Sequence, residues 1–458
     1  MISLFLDEVE RIAKIFKELI KNKHVKIYAQ FDSDGITSAS MMAKALLREN
    51  CNFELRVIKQ LNSKILKNIT FNDNDFLIFL DMGSGQINIL KEIIERINVL
   101  IVDHHEPINY NHPNLLHLNP LLFGEEPEKY STSILTFIFL KFVNPKNIDL
   151  IDLAIVGAVG DRREEGIKVG AMGEILEDAK SLGFINVVRD LKFIGSDKPL
   201  FKVLAYSLDP LIPTIYGNEA AAMQFLKDLN IDVKRGDEWR TLKDLSEEEK
   251  ARIADGIIKE KLGYVSFSEI FGEIFLLLKK PEFLSDSREF SILINACSRL
   301  GESDLALRLC LGDYSVYNRS LEKLEEYRRQ LAKAISFVEN NNKIIEKENG
   351  IFIIGESNIS DSIIGTVISI FLNSRNSRKP VFGLAYDETS NMIKVSARNK
   401  NGYINLREVL VSVVKELGGE AGGHRDAAGA FIPVGKDKEF IEKVNIIIGE
   451  LSAKEQKS

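Results

Sequence analysis

Cysteine is scarce in this chain: Cys51, Cys297 and Cys310 are all there are in 458 residues, and none stands in a CxxC spacing. That argues against zinc fingers and against a disulfide framework. No stretch is long and apolar enough to span a bilayer. Residues 1–21 lack the basic start, continuous apolar middle and small-residue cleavage site of a secretory signal. A cytoplasmic protein with no membrane partner is the expectation. An excess of positive charge is missing too: the net charge is −7, which opposes a protein that coats nucleic acid through bulk charge. Repeats and low-complexity tracts are absent, apart from a short polar tail at 453–458.

What is present describes an ordinary globular protein, with 45% hydrophobic and 28% charged residues. Its length is too great for one compact core, so two or three domains are expected. Leu4, Phe5, Val9, Ile12, Ile15 and Phe16 space like one face of an amphipathic helix. From Val25 to about Asp161, short apolar strands alternate with helical patterns, the signature of βαβ units and a parallel sheet. Residues 165–315 read as mostly helical, with turn signals at Asp209-Pro210, Ile212-Pro213, Tyr216-Gly217-Asn218 and Lys280-Pro281. Asp237 to Lys261 is strongly charged, and Leu245 to Lys250 reads as a helix start. A long amphipathic helix over Asn318–Asn342 bridges to a second α/β pattern. Its strands are Ile351–Gly355, Val381–Ala385 and Met392–Ser396, and it closes on a run with glycines at 418, 419, 422, 423 and 429. The expected division is an α/β domain over 1–200, a helical middle over 201–316, a connecting helix over 317–349 and a smaller α/β domain over 350–452.

The residues with chemistry gather at strand ends. Ile97–Val102 runs into Asp103-His104-His105, Val25–Ala29 into Gln30-Phe31-Asp32-Ser33-Asp34-Gly35, and Phe76–Leu80 into Asp81. Asp161 closes the apolar stretch 153–160 and is read as a fourth acidic strand end. Ligands of open α/β sheets bind at such carboxyl ends. The helix expected from Gly35 would turn its N-terminal amides toward the same place. Asp32 or Asp81 alone reads more readily as a helix cap or a strand end, but four acidic ends beside two imidazoles read as a metal site. Carboxylate and imidazole donors without thiolate suit Mn²⁺, Mg²⁺ or Zn²⁺. Two such ions about 4 Å apart activate water and neutralise charge on a phosphate, with Asp81 a candidate bridge. His24, His112 and His117 read as surface or packing residues. His424 differs, because the glycines around it let backbone amides approach an anion, with Arg425 adjacent. Arg375, Arg378, Lys379, Lys394, Arg398, Lys400 and Arg407 form a basic concentration that reads equally as a solvated surface or as a local binding channel.

Together these motifs resemble the DHH phosphoesterase superfamily, and within it the archaeal RecJ-like, GINS-associated nucleases. Asp32-Ser33-Asp34-Gly35, Asp81, Asp103-His104-His105 and Asp161 resemble its four N-terminal motifs. Gly422-Gly423-His424-Arg425-Asp426-Ala427-Ala428-Gly429 resembles the GGHxxAAG motif of the DHH-associated domain, and Ser396-Ala397-Arg398 its phosphate-contacting strand. Asn295–Gly301 followed by Cys310–Asp313 also looks like the archaeal branch. The resemblance implies a metal-dependent exonuclease that clamps single-stranded DNA or RNA between two domains and releases mononucleotides, in replication or repair. It implies metal ligation by Asp32, Asp34, Asp81, His104 and Asp161, with Asp103 and His105 completing the catalytic site. It further implies substrate phosphate bound by Ser396, Arg398, Gly422, Gly423 and His424. Two Mn²⁺ or Mg²⁺ ions are the implied cofactors, and GINS and the replicative helicase are implied partners.

One position departs from the family pattern. The first motif ordinarily opens on histidine (HxDxDG), and Gln30 stands there instead. A neutral amide oxygen is a weaker donor than imidazole, so one ion is expected to be held less well. Two other readings compete: a catalytically silent helicase-associated subunit, favoured by Gln30, and a phosphoesterase of small oligonucleotides, opposed by the long middle region.

Overall fold

The computed structural model describes residues 4–207, 210, 212, 214–260, 267–374, 379–388, 390–400 and 404–455. Arg375 and Arg378 of the basic concentration, turn residues Asp209 and Pro213, and Lys261 lie outside the described residues. The chain divides into two compact units, residues 1–187 with 275–327, and residues 188–274 with 328–458.

The first unit is built on a five-stranded sheet in the order β2-β1-β3-β4-β5, with β1 His24–Gln30, β2 Phe53–Ile58, β3 Asp75–Leu80, β4 Asn98–Val102 and β5 Leu115–Leu118. All four pairings are parallel. Every residue of β3 is buried, as are the last four of β4, because helices cover both faces and leave no side for polar residues. Side chains alternate between those faces. Phe76 turns to the ring of Phe16, itself against Phe139, while Leu77 and Phe79 join Leu90 and Ile94 of the opposite helix. Strand order reverses between β1 and β3, which opens a crevice at their carboxyl ends.

The stretch ending at Asp161 is a helix, Ile151–Gly160, and not a strand. Nine of its ten residues are buried, so it shows no polar face and its apolar run lacks the helical period. Asp161 therefore caps a helix. At the N-terminus the helix is Leu4–Leu19, and Leu4 is 83% exposed, so Ala13 takes its place on the buried face.

The second unit holds a helical part and a sheet. Helices Leu200–Ala205, Glu219–Asp228 and Glu247–Glu260 share a core that includes Leu204, Leu226, Ile253 and Ile257. The sheet has six strands in the order 344–346, 351–356, 381–387, 392–398, 427–433, 420–423. Only the pair 351–356 with 381–387 is parallel. Helix Leu406–Leu417 and the helix Asp437–Glu455 share a core with one face of the sheet. The glycine-rich run does not close this unit: it forms the hairpin Glu420–Gly423 with Ala427–Pro433, and the last helix follows it. Helix Tyr317–Asn340 starts in the first unit and ends in the second.

Candidate metal centre

The acidic residues converge at the crevice because three loops and two helix ends meet there. Asp32 caps helix Ser33–Arg48, its Oδ1 accepting from the Gly35 amide at 3.1 Å. Glycine is required at 35, since any Cβ would overlap the Gln30 carbonyl. Asp34, in the first turn of that helix, points at the start of helix Thr132–Val143. The amides of Thr132 and Ser133 donate to its Oδ2 and Oδ1 at 2.6 and 2.9 Å. A helix N-terminus thus holds this carboxylate with two of its otherwise unpaired N–H groups and its dipole.

Asp81 follows β3 in a left-handed conformation, φ +62°, which aspartate tolerates better than most residues and which turns its side chain into the crevice. The Thr132 hydroxyl donates to its Oδ1 at 2.9 Å. Asp103 follows β4 fully buried with both oxygens engaged. Its Oδ2 accepts from the Ser84 amide at 2.9 Å, and its Oδ1 lies 2.7 Å from His105 Nδ1. His104 Nδ1 lies 3.0 Å from the Tyr130 carbonyl. That fixes the ring proton on Nδ1 and leaves Nε2 as a lone pair, 3.5 Å from Asp81 Oδ1 and 3.6 Å from Asp161 Oδ2. The Asp161 Oδ2 is buried and has no hydrogen-bond partner.

Electrostatics follow from this crowding. Burial raises the Asp34 carboxyl to about 6, against the hydrogen bonds from Ser133 and Thr132. Burial also lifts Asp81 and Asp161 well above the usual carboxylate range, reinforced by neighbouring carboxylates. His104 falls to about 3 through burial and the charge of His105, so it is a neutral donor at any ordinary pH. Asp103 goes the other way: burial opposes its ionisation, yet His105 and its hydrogen bond hold it below the ordinary range. His105 is correspondingly raised by Asp103 in spite of burial. A cluster that disfavours its own negative charge this strongly wants a cation.

The donors fit one. Asp34, His104 and Asp161 offer ligand atoms within 4.8 Å of one another, as do Asp81, Asp103 and His105. Oxygen and imidazole nitrogen without sulfur suit Mn²⁺ or Mg²⁺. The first group is better prepared, for it contains the Asp161 oxygen that accepts no hydrogen bond, with Arg163 Nε 3.5 Å away, and the lone pair of His104. Gln30, at the end of β1, meets this cluster through its terminal amide.

Several positions around the cluster were not singled out from sequence. Thr132 and Ser133 work through backbone amides of a segment 98 and 99 residues from Asp34. Asn295 accepts from the Ser33 amide at 2.9 Å, which gives the Asn295–Gly301 segment a physical role in bracing the first acidic loop. Gly157 and Gly160 let their helix approach: a Cβ at 157 would overlap Thr37 and Ser133, and one at 160 would overlap Ser33 and Ser291. Their spacing of three in a helix beside an acidic residue is the signal that could have found them. His117 is half-buried, 2.8 Å from the Ser84 hydroxyl, and burial lowers it to about 4.

In the second unit, Ser396 and Arg398 lie on one face of their strand. Both stand 3.3–3.4 Å from where a Cβ would sit on Gly365, in the first turn of helix Ile364–Ser374. His424 is half-buried at the tip of the glycine hairpin, its amide donating to the Ala427 carbonyl at 2.8 Å. Gly422 and Gly423 end the first hairpin strand, and Gly423 has φ +126° with no room for a side chain.

Comparison with known proteins agrees with these units. Residues 24–158 match the DHH family N-terminal domain, 194–267 the DHH-CID domain and 341–450 the DHHA1 domain. An uncharacterized protein of Methanocaldococcus jannaschii, MJ0831, is 29% identical over 97% of this chain and 98% of its own. The single-stranded-DNA-specific exonuclease RecJ of Thermus thermophilus is 22% identical over 33% of this chain and 24% of its own. In structure, CDC45 from Entamoeba histolytica superposes with a TM-score of 0.67 at 13% identity, over 97% of this chain and 99% of that one. Thermus thermophilus RecJ in complex with Mn²⁺ gives 0.60 at 16% identity, over 97% of this chain but 55% of the longer RecJ. Among the described residues, no helix is long and apolar enough to cross a membrane.

Proposed function

We propose that this chain, which carries DHH, DHH-CID and DHHA1 domains in that order, is a metal-dependent exonuclease. Its substrate is single-stranded DNA or RNA, from which it releases mononucleotides. The observation that carries this reading is the convergence of Asp34, His104 and Asp161, with one buried carboxylate oxygen that accepts no hydrogen bond.

Asp34, His104 and Asp161 would hold one divalent ion, and Asp32 and Asp81 border the same crevice. When bound, such ions lower the pKa of water and offset charge developing on the phosphate. His104 keeps its proton on Nδ1, toward Tyr130, and presents Nε2 as a ligand. Asp103 keeps a proton on His105 Nδ1 and so orients that ring at the crevice. Ser396, Arg398, Gly422, Gly423 and His424 are assigned to the substrate phosphate, Arg398 by charge and the glycines by allowing close backbone approach. Association with GINS and the replicative helicase extends the same proposal and is supported by the fold shared with CDC45.

A second reading is a non-catalytic helicase-associated subunit. Gln30 favours it, because its amide already touches two of the carboxylates. The two readings part on one assay: purified protein with Mn²⁺ and end-labelled single strands of DNA and of RNA, beside Asp103→Ala. Mononucleotide release that the substitution abolishes supports the nuclease. Equal release by both proteins, or by neither, favours the silent subunit.

A further inference from the structure

Gln30 ends β1 next to Asp81 at the end of β3, and its terminal amide faces two carboxylates at once. With its NH₂ turned inward it donates to Asp81 Oδ2 at 2.6 Å and to Asp32 Oδ2 at 3.1 Å. Turned the other way, its carbonyl oxygen would face the same two acceptors with no proton between them. The hydrogen-bond pattern therefore assigns the NH₂-inward orientation.

We propose that the Gln30 amide occupies the role of a second divalent ion between Asp32 and Asp81, so that this protein binds one Mn²⁺ or Mg²⁺ tightly, on Asp34, His104 and Asp161. The inference rests on the metal reading above and adds a stoichiometry to it.

The partners already spent decide the matter. Asp32 gives Oδ1 to the Gly35 amide and Oδ2 to Gln30. Asp81 gives Oδ1 to Thr132 and Oδ2 to Gln30. Asp103 has both oxygens engaged, one by the Ser84 amide and one by His105 Nδ1. By contrast the Asp161 Oδ2 accepts no hydrogen bond, with the Arg163 guanidinium Nε nearby at 3.5 Å, and His104 Nε2 carries a lone pair. Admitting a second ion requires the amide to turn over. Two charge-assisted hydrogen bonds are then lost in exchange for one neutral oxygen ligand. An amide has two N–H groups on one nitrogen, so it can bridge two carboxylates as an ion does, without carrying charge.

Calorimetric titration of the full chain with Mn²⁺ tests this directly. The wild type is expected to show one tight site, with any second ion about 100-fold weaker. Gln30→Glu keeps the shape, removes the donor and adds a charge, so its second Mn²⁺ should bind within about tenfold of the first. Melting in EDTA gives an independent reading through Gln30→Met, which loses the bridge without adding charge. That variant should melt a few degrees, roughly 2–4 °C, below wild type in EDTA and recover part of the loss in Mn²⁺. Two matched ions in the wild type, or identical melting of Gln30→Met and wild type in EDTA, would overturn the inference alone. Absence of any bound Mn²⁺ in the wild type would overturn the metal reading beneath it as well.

Discussion

Asp103 Oδ1 and His105 Nδ1 lie 2.7 Å apart, and the other Asp103 oxygen accepts the Ser84 amide at 2.9 Å. Asp103 thus fixes the imidazole beside it and the loop after β3 together. Asp103→Asn keeps the volume but cannot hold the charge of His105, and its amide NH₂ must face one of two donors. Mn²⁺-dependent hydrolysis of end-labelled single strands is expected to fall about 10–100-fold, with the melting temperature changing less than in Asp103→Ala.

Thr132 ties two ligand candidates to one helix start, its amide on Asp34 and its hydroxyl on Asp81. Thr132→Val removes the hydroxyl alone, because the amide survives. Affinity for Mn²⁺ should drop about tenfold by calorimetry. An unchanged isotherm would show that the Asp81 rotamer is set by its backbone and not by Thr132.

Away from the crevice, Lys280 pairs with Asp152 at 2.9 Å, and both are almost fully buried. Asp152→Ala leaves an ammonium unpaired in the interior and should cost about 3 kcal/mol or more in denaturant unfolding. Burial works against the Lys280 charge, but Asp152 outweighs it and holds the pKa above the ordinary lysine value. The pair's contribution is therefore complete below the unfolded lysine value of about 10.4. It disappears as pH rises through the higher folded value. Melting temperature measured above about pH 10.4 should fall more steeply for wild type than for Lys280→Met/Asp152→Leu.

At Gly160 there is no space for a methyl group against Ser33 and Ser291. Gly160→Ala should destabilise the protein by about 1–3 kcal/mol. It should also weaken Mn²⁺ binding, since Ser33 lies between Asp32 and Asp34. Gly301→Ala, a position with open space around it but φ +81°, serves as the control: strained locally, with Mn²⁺ affinity unchanged.

Binding of single strands offers a test in the second unit. Arg398→Ala should weaken binding of labelled single strands and reduce the slope of log affinity against log salt by about one phosphate contact. A slope equal to wild type would remove Arg398 from the binding path.

Much of the scaffold was legible because β3 and β4 are buried on both sides and read as unbroken apolar runs. The same rule misled at Ile151–Gly160, where a helix enclosed on all sides loses its period and resembles such a strand. Strand β2 went unread because it is half-buried, without a continuous apolar run. At the site, the acidic and histidine side chains announced themselves. Their supports did not: Ser133, Ser84 and, toward Asp34, Thr132 act through backbone amides, which every residue but proline possesses. The orientation of Gln30 was likewise unreadable, since it depends on which carboxylate oxygens the fold turns toward it.

The bond between Ser33 and Asn295 spans 262 residues of chain. Between the two, residues 188–274 leave the first unit altogether, and the chain returns at 275 to supply the helix carrying Asn295. A fragment ending at 187 would keep Asp32, Asp34, Asp81, the Asp103–His105 triplet and Asp161, yet lose the prop behind the first acidic loop. The carboxylates repel one another, so folding must force them together, and that force is supplied partly by a segment encoded far downstream. Cutting the chain within 188–274, outside the unit that holds the site, is thus expected to weaken it.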